Sequence, residues 1–396
     1  MRREIKRAFI LLPAAFIANA GIGILNFSLV FYMRDVFNST AAEIGWFSSI
    51  WAFSYFIGCF ALHKLSRKIG AHRSIAAAVL GMVFVVIAML FSETVILMFV
   101  LYSLFGFITA LFWPPLMGWI SEGLEGPELN RMMGLFNLSW STGLVISPYL
   151  GGLLLEYNLS YPLIFAVGLY GLLTIALVLV PILFSSIVLH GSDSKRNMSV
   201  SDSSTSLRYI AWLGNFTGYI IFGVLMFVFP LYAREELMFT ESSIGLLFLF
   251  RALFSTFIFV FAGKMSWWHF NKAYMLIMQL LMVLFALFLP YTKSWISCAA
   301  ALSLFGVIFA GGYSSSIFHG VSGSIHREKR MAIHEAVLTV GIITGAIGGG
   351  ELYQHWGMIT VFTSAGAGAA FILILQTGII VFQRNKTIDN ISMTTL

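Results

Sequence analysis

Residues 103–106 read SLFG, and residues 303–306 read SLFG again, two hundred positions later in a chain of 396. Four letters decide little in a chain rich in Ser, Leu, Phe and Gly. What decides the fold is whether other residues keep the same offset, and testing that needs the chain to be divided first.

Composition sets the class. Hydrophobic residues make up 59% of the chain and charged residues 10%, against about 25% charged in soluble domains. A packed core does not need this much apolar surface, but a bilayer does. The net charge of +6 would suit nucleic acid, yet the basic residues sit in short clusters between long apolar runs. That is the pattern of membrane topology, and no nucleic-acid partner is expected. Cys59 and Cys298 lie in or beside apolar runs, so they imply neither a disulfide framework nor a metal site.

Apolar runs of about 18–25 residues, each long enough to cross ~30 Å of hydrocarbon, recur along the chain. They lie near 9–32, 44–63, 73–91, 95–120, 131–155, 162–184, 209–232, 243–263, 273–290, 295–320, 331–353 and 358–382. Between the sixth and seventh stands SDSKRNMSVSDSSTS, residues 192–206, in which seven of fifteen residues are Ser. Such a stretch reads as a flexible polar linker. The expectation is an all-α membrane protein with twelve transmembrane helices in two six-helix bundles. An N-terminal bundle covers 1–184, a cytoplasmic linker 185–207, and a C-terminal bundle with a short cytoplasmic tail 208–396.

Basic residues orient the segments. With both termini cytoplasmic, the cytoplasmic ends and loops hold 19 of the 23 Lys and Arg. Arg34, Arg234 and Lys293 fall outside, and Arg251 falls within the eighth segment. This asymmetry predicts a multi-pass protein of the cytoplasmic membrane. The start, MRREIKR followed by an apolar stretch and Ala18-Asn19-Ala20, has the outline of a cleaved signal peptide. The apolar run continues past Ala20, however, and cleavage would break the repeat.

With the halves defined, the offset holds. Tyr32, Arg34 and Asp35 match Tyr232, Arg234 and Glu235, and Thr40, Ile44 and Gly45 match Thr240, Ile244 and Gly245, all at 200. Gly143, Gly151 and Gly152 match Gly341, Gly349 and Gly350 at 198, and Arg131-Met132 recurs at 330–331. The chain is therefore two related six-helix bundles in the same orientation, a known transporter design.

Four motifs carry a family resemblance. The loop after segment 2 reads HKLSRKIGAHR (63–73), and its cognate after segment 8 reads GKMSWWHFNK (263–272). Segment 4 leads into EGLEGPELNRMMG (122–134), and segment 5 holds GLVISPYLGG (143–152). Together they resemble the major facilitator superfamily of secondary transporters, over almost the whole chain. The first loop is similar to that family's G-x-x-x-D-R-x-G-R-R, with His63 at the first Gly and Arg67 at the Asp. Segment 5 is similar to its antiporter motif, with Ser147 for the first Gly of G-P-x-x-G-G. An Arg common in segment 4 is replaced by Tyr102. The resemblance implies a gating role at the cytoplasmic face for Arg67, Arg73, Glu122 and Arg131, although Arg67 cannot act as the acid it replaces; the competing reading is that these charges only fix topology. Physically, Glu122 is placed to pair with Arg73 or Arg131. The glycines around Pro148, and those from Gly341 to Gly350, suit close helix packing, with a bend at the proline.

Polar groups inside membrane segments are costly and mark pathways. Asn19 and Asn26 share a face of segment 1, Trp113 precedes Pro114-Pro115 in segment 4, and Asn137 and Trp140 lie in segment 5. Asn215 and Tyr219 lie one turn apart in segment 7. The resemblance implies that these segments border a central site, where Trp and Tyr would offer stacking faces to a ring; the competing reading for each Asn alone is a bond to another helix. Arg251, roughly 12 Å into its segment at 1.5 Å per residue, needs a partner or a substrate. Its positional equivalent in the first half is Trp51. Arg251 is expected to bind an anionic or strongly polar substrate group; the competing reading is a structural Arg that bonds neighbouring carbonyls and hydroxyls.

Acidic residues are few. Glu335, about five residues into segment 11, is the candidate proton-coupling site, although it starts from the face opposite Arg251, which argues against a direct pair. Its competing reading is a rim pair with Arg330 or His334. Asp35 and Glu235, each beside an Arg, are expected to form cross-half pairs such as Asp35–Arg234 that help close the outer face.

No nucleophile–base pair, metal cluster or phosphate-binding G-x-x-x-x-G-K-[ST] appears, so the chain is not expected to be an enzyme or to need a cofactor. The reading is a monomeric secondary transporter working by alternating access on a small organic solute, anionic or aromatic in character. Energy comes from gradients, either the solute's own in uniport or that of a coupling ion, proton or sodium. A multidrug or lipid-like exporter shares this fold, and a non-transporting receptor or scaffold is the alternative of a different class.

Overall fold

The structure is a computed structural model and describes residues 3–121, 126–183, 205–262, 264–322 and 327–394. Most of the expected linker, 185–207, lies outside the described residues. The described residues form helices α1 (Arg3–Phe37), α2 (Ala41–Ala61), α3 (His63–Ile69), α4 (Ala71–Leu90), α5 (Val95–Thr109), α6 (Trp113–Ser121), α7 (Gly126–Tyr157) and α8 (Tyr161–Leu183). The second half continues with α9 (Leu207–Phe227), α10 (Phe229–Glu235), α11 (Glu241–Ala262), α12 (Lys272–Phe288), α13 (Trp295–Val321) and α14 (Arg327–Thr394). No strand occurs among the described residues.

Among them, 11 helical stretches are long and apolar enough to cross a membrane, and the last, Ile333–Gln383, is 51 residues long. That length exceeds any bilayer. Gly357 breaks it, with φ 74° and ψ 175°, a conformation a side chain resists. The two arms of α14 are therefore segments 11 and 12, and the expected twelve spans are present.

Local chemistry sets the ends. Thr40 caps α2 and exchanges bonds with Glu43 in a capping box, and Ser294 caps α13 in the same way with Ser297. Thr94 and Asn271 cap α5 and α12. Prolines inside the spans strip carbonyls of their helical donors, and side chains replace those donors. Pro115 frees the Leu111 carbonyl, to which Ser74 Oγ donates at 2.9 Å. Pro181 frees the Leu177 carbonyl, to which His72 Nε2 donates at 2.8 Å. Ser147 Oγ reaches the Leu144 carbonyl left by Pro148, at 3.4 Å.

The chain groups into two compact units. One is Met1–Asn197 with Met226–Leu249, and the other is Met198–Leu225 with Phe250–Leu396. In the first, α1 packs on α7 and α8, α2 on α5, and α4 on α5 and α8. In the second, α12 packs on α13 and α14. The two SLFG copies occupy matching joints inside these units. A Cβ at Gly106 would strike the Trp51 carbonyl, and one at Gly306 would strike the Arg251 carbonyl. Serines secure both joints. Ser54 and Ser103 share a bond of 2.7 Å, and Ser255 Oγ donates to the Gly306 carbonyl at 3.0 Å. Backbone contact also brings α7 against α1, with Gly143 on the Phe16 carbonyl, and α14 against α9, with Gly345 on the Ile220 carbonyl.

Candidate functional site

The second unit builds one polar-aromatic cluster from four helices. Arg251 on α11 is only 7% exposed. Its carbonyl is locked into the Gly306 joint, so the backbone that carries it is fixed. Its guanidinium lies over the Phe222 ring of α9, 5.0 Å from the centroid. Its Nε has no hydrogen-bond partner, and no ion pair involves it among the described residues. Aromatic rings continue from there. Phe222 stacks on Phe309 of α13 at 5.2 Å, and Tyr219 meets Phe309 at 5.0 Å and Tyr313 at 6.3 Å.

Tyr313 in turn meets His334 of α14 at 5.5 Å. His334 is fully buried, with Nδ1 bonded to Ser316 Oγ at 2.9 Å and Nε2 unpartnered. The adjacent Glu335 is exposed. Arg251 and Glu335 do not pair directly. Both charges fall within electrostatic reach of the Tyr219 hydroxyl, and Glu335 also within reach of Tyr313. The arrangement offers an unpaired cation beside flat apolar faces, with a solvent-accessible carboxyl nearby. Anions and ring systems are what such groups attract.

The remaining sequence-selected residues are distributed as follows. In the first unit, Asn19 Nδ2 donates to the Trp140 carbonyl at 2.9 Å, and Asn26 accepts from Tyr102 OH at 2.6 Å. Trp140 Nε1 donates to Asn137 Oδ1 at 3.1 Å. Trp113 packs on Phe112 and Phe136. Trp51 stacks on Tyr55 at 5.7 Å, and its Nε1 is buried without a partner. Asn215 lines a different pocket from the Arg251 group, with Gln279 and Gln376.

At the end where α1 stops and α2 begins, charges from both halves meet within the first unit. Arg234 grips both oxygens of Asp35, at 2.6 and 2.7 Å, and also reaches Glu241 at 3.3 Å. Arg34 pairs with Glu235 at 2.7 Å. Glu156 accepts from the Ser242 backbone in the first turn of α11, at 3.2 Å, where the exposed amides of a helix start favour an anion. Arg67 and Arg73 are exposed. Glu122 and the Arg131 side chain lie outside the described residues. No cluster of three His, Cys, Asp or Glu suited to a metal occurs among the described residues.

Sequence reasoning passed over Phe222, Tyr313, Gln279 and Gln376, and saw His334 only as a possible rim partner of Glu335. The two glutamines carried a usable signal, since each is a lone amide in the middle of an apolar run. Phe222 and Tyr313 did not, because nothing distinguishes a site-lining ring from a packing ring in a chain with 38 Phe and 14 Tyr.

Comparison with known proteins matches this framework. The family model described as Major Facilitator Superfamily matches residues 11–210 and again 211–387. Among curated protein sequences no relative matches. Among solved structures, the nucleoside transporter NupG superposes with a TM-score of 0.73 at 16% identity, covering 96% of this chain and 99% of that one. A variant of the peptide transporter POT superposes with a TM-score of 0.73 at 13% identity, covering 95% of this chain and 94% of that one. At such identities the likeness is one of fold.

Proposed function

The chain belongs to the Major Facilitator Superfamily, and from that premise we propose that it is a secondary active transporter for a small organic solute carrying an anionic or strongly polar group. Arg251 is the observation that carries this reading. A buried guanidinium costs several kcal/mol in a membrane interior unless something answers it. Here the protein provides one aromatic face and leaves Nε unanswered. A substrate carboxylate, phosphate or polar carbonyl would complete the fork, and the rings of Phe222, Tyr219 and Phe309 would take a flat apolar body. Transport follows by alternating access, with the solute bound near the midplane.

A multidrug or lipid-like exporter would need a broad apolar cavity and no fixed cation, so Arg251 favours a selective site. Glu335 supports coupling to protons. It is accessible, yet within electrostatic reach of the two tyrosines that flank the Arg251 group. Asp35–Arg234 and Arg34–Glu235 are read as ties that help close the outer face.

Binding to purified protein tests the proposal. A thermal-shift screen over organic anions, nucleosides, peptides, sugars and drugs should return ligands sharing a negative or strongly polar group. Arg251→Ala should abolish those shifts without altering the melting temperature of the unliganded protein. Unchanged affinity in that variant would rule out the substrate role of Arg251.

A further inference from the structure

A separate pocket lies inside the second unit, lined by α9, α12, α13 and the second arm of α14. Three side-chain amides converge on it. Asn215 and Gln279 are each 3% exposed and Gln376 is 1% exposed. Gln279 Nε2 donates to the Ala369 carbonyl at 2.8 Å, and Gln376 Nε2 donates to the Ile210 carbonyl at 2.8 Å. These bonds decide the orientation of both amides, because a flipped amide would set oxygen against oxygen.

The two amide oxygens are therefore committed as acceptors, and Gln376 Oε1 is buried with no partner. Asn215 Nδ2 is a buried donor with no partner. Gly214 lets the group assemble. A Cβ there would lie 3.0 Å from Gln376 Nε2 and 3.3 Å from Gln279 Oε1, so the two amide heads close over a bare Cα.

The guest must accept one hydrogen bond and donate at least one, and it must be small. The cavity measures about 20 Å³, and a water needs roughly 10–15 Å³ and two to four polar partners. It should also be neutral. No carboxylate lines the pocket, and an unpaired buried ion is heavily penalised. We propose that this pocket is a binding site for a single water molecule. The water donates to Gln376 Oε1 and accepts from Asn215 Nδ2, and Gln279 lines the same pocket. The water braces α9 against the second arm of α14, one turn from Tyr219, and so fixes the height at which that tyrosine is presented.

The test uses the full-length protein in nanodiscs without substrate. A map at about 2 Å should show one peak within about 3.2 Å of both Asn215 Nδ2 and Gln376 Oε1. A direct Asn215–Gln376 bond, or no peak in a map that resolves other internal waters, would overturn the assignment. Stability gives a second readout with a sign. If the site is wet, Asn215→Leu displaces the water, strands the Gln376 acceptor and lowers Tm by at least about 2 °C. If it is dry, the same change removes an unsatisfied amide and leaves Tm equal or higher, which refutes the proposal. A saturable rise in Tm with NaCl over choline chloride, lost in Gln376→Met, would assign the pocket to a cation instead.

Discussion

Arg251 and Glu335 carry the sharpest single-residue predictions. Lys at position 251 keeps the charge and loses the planar fork. Arg251→Lys should therefore weaken substrate binding about tenfold or more, with no change in the melting temperature of the free protein, as read by titration calorimetry. Equal affinity would mean that the fork makes no contact with substrate. Glu335→Gln should abolish uptake driven by a proton gradient in liposomes and spare counterflow exchange. Proton-driven uptake at the wild-type rate would remove Glu335 from the coupling path. At this scale the sequence was informative where a residue type was rare. A lone Arg in an apolar run stands out, as does a lone Glu. Phe222 and Tyr313 were invisible because their types are abundant, and His334 was seen only as the neighbour of Glu335.

Among the elements, the proline-broken helices show how span interiors stay satisfied. The Ser74 bond to the Leu111 carbonyl replaces the donor that Pro115 lacks. Ser74 is fully buried, so Ser74→Ala leaves an orphan carbonyl at a cost of about 1–3 kcal/mol. The expected result is a clear fall in thermal stability of the purified variant, with transport per folded molecule retained. An unchanged melting curve would show that water reaches that carbonyl. The spans themselves were legible from apolar length alone, because a bilayer imposes one length on every helix. The joint near Gly357 was also legible, from the break between the apolar runs 331–353 and 358–382. The split of segment 4 into α5 and α6 was only half visible: Pro114-Pro115 announced rigidity there, but not the turn at Ala110–Phe112. The partners that repair the prolines come from other helices and leave no local mark.

For the whole molecule, the repeat fixed the architecture more firmly than any motif did, since an offset near 200 over most of the chain leaves one arrangement of segments. The charged cluster of Arg34, Asp35, Arg234 and Glu235 links residues from both halves. Exposed pairs of this kind are worth about 0–1 kcal/mol each, enough to bias two conformations by about fivefold. Asp35→Asn should raise the labelling rate of single cysteines placed at that end by a few-fold. The double exchange Asp35→Arg with Arg234→Asp should restore it. Labelling indifferent to both changes would deny the cluster any part in closure.

The joint between Gly306 and the Arg251 carbonyl, with its counterpart between Gly106 and the Trp51 carbonyl, separates two kinds of mutational freedom. The contact is made by backbone, so it asks nothing of the side chain on the carbonyl's own residue. Duplicated copies of the joint can hold a cation in one half and an indole in the other without disturbing the framework. Saturation libraries at 51 and 251 should be rich in folded proteins with altered selectivity, whereas libraries at 106 and 306 should return glycine almost alone. On the proposal that position 251 meets the solute, specificity would be adjustable at the very positions whose carbonyls the scaffold holds most tightly.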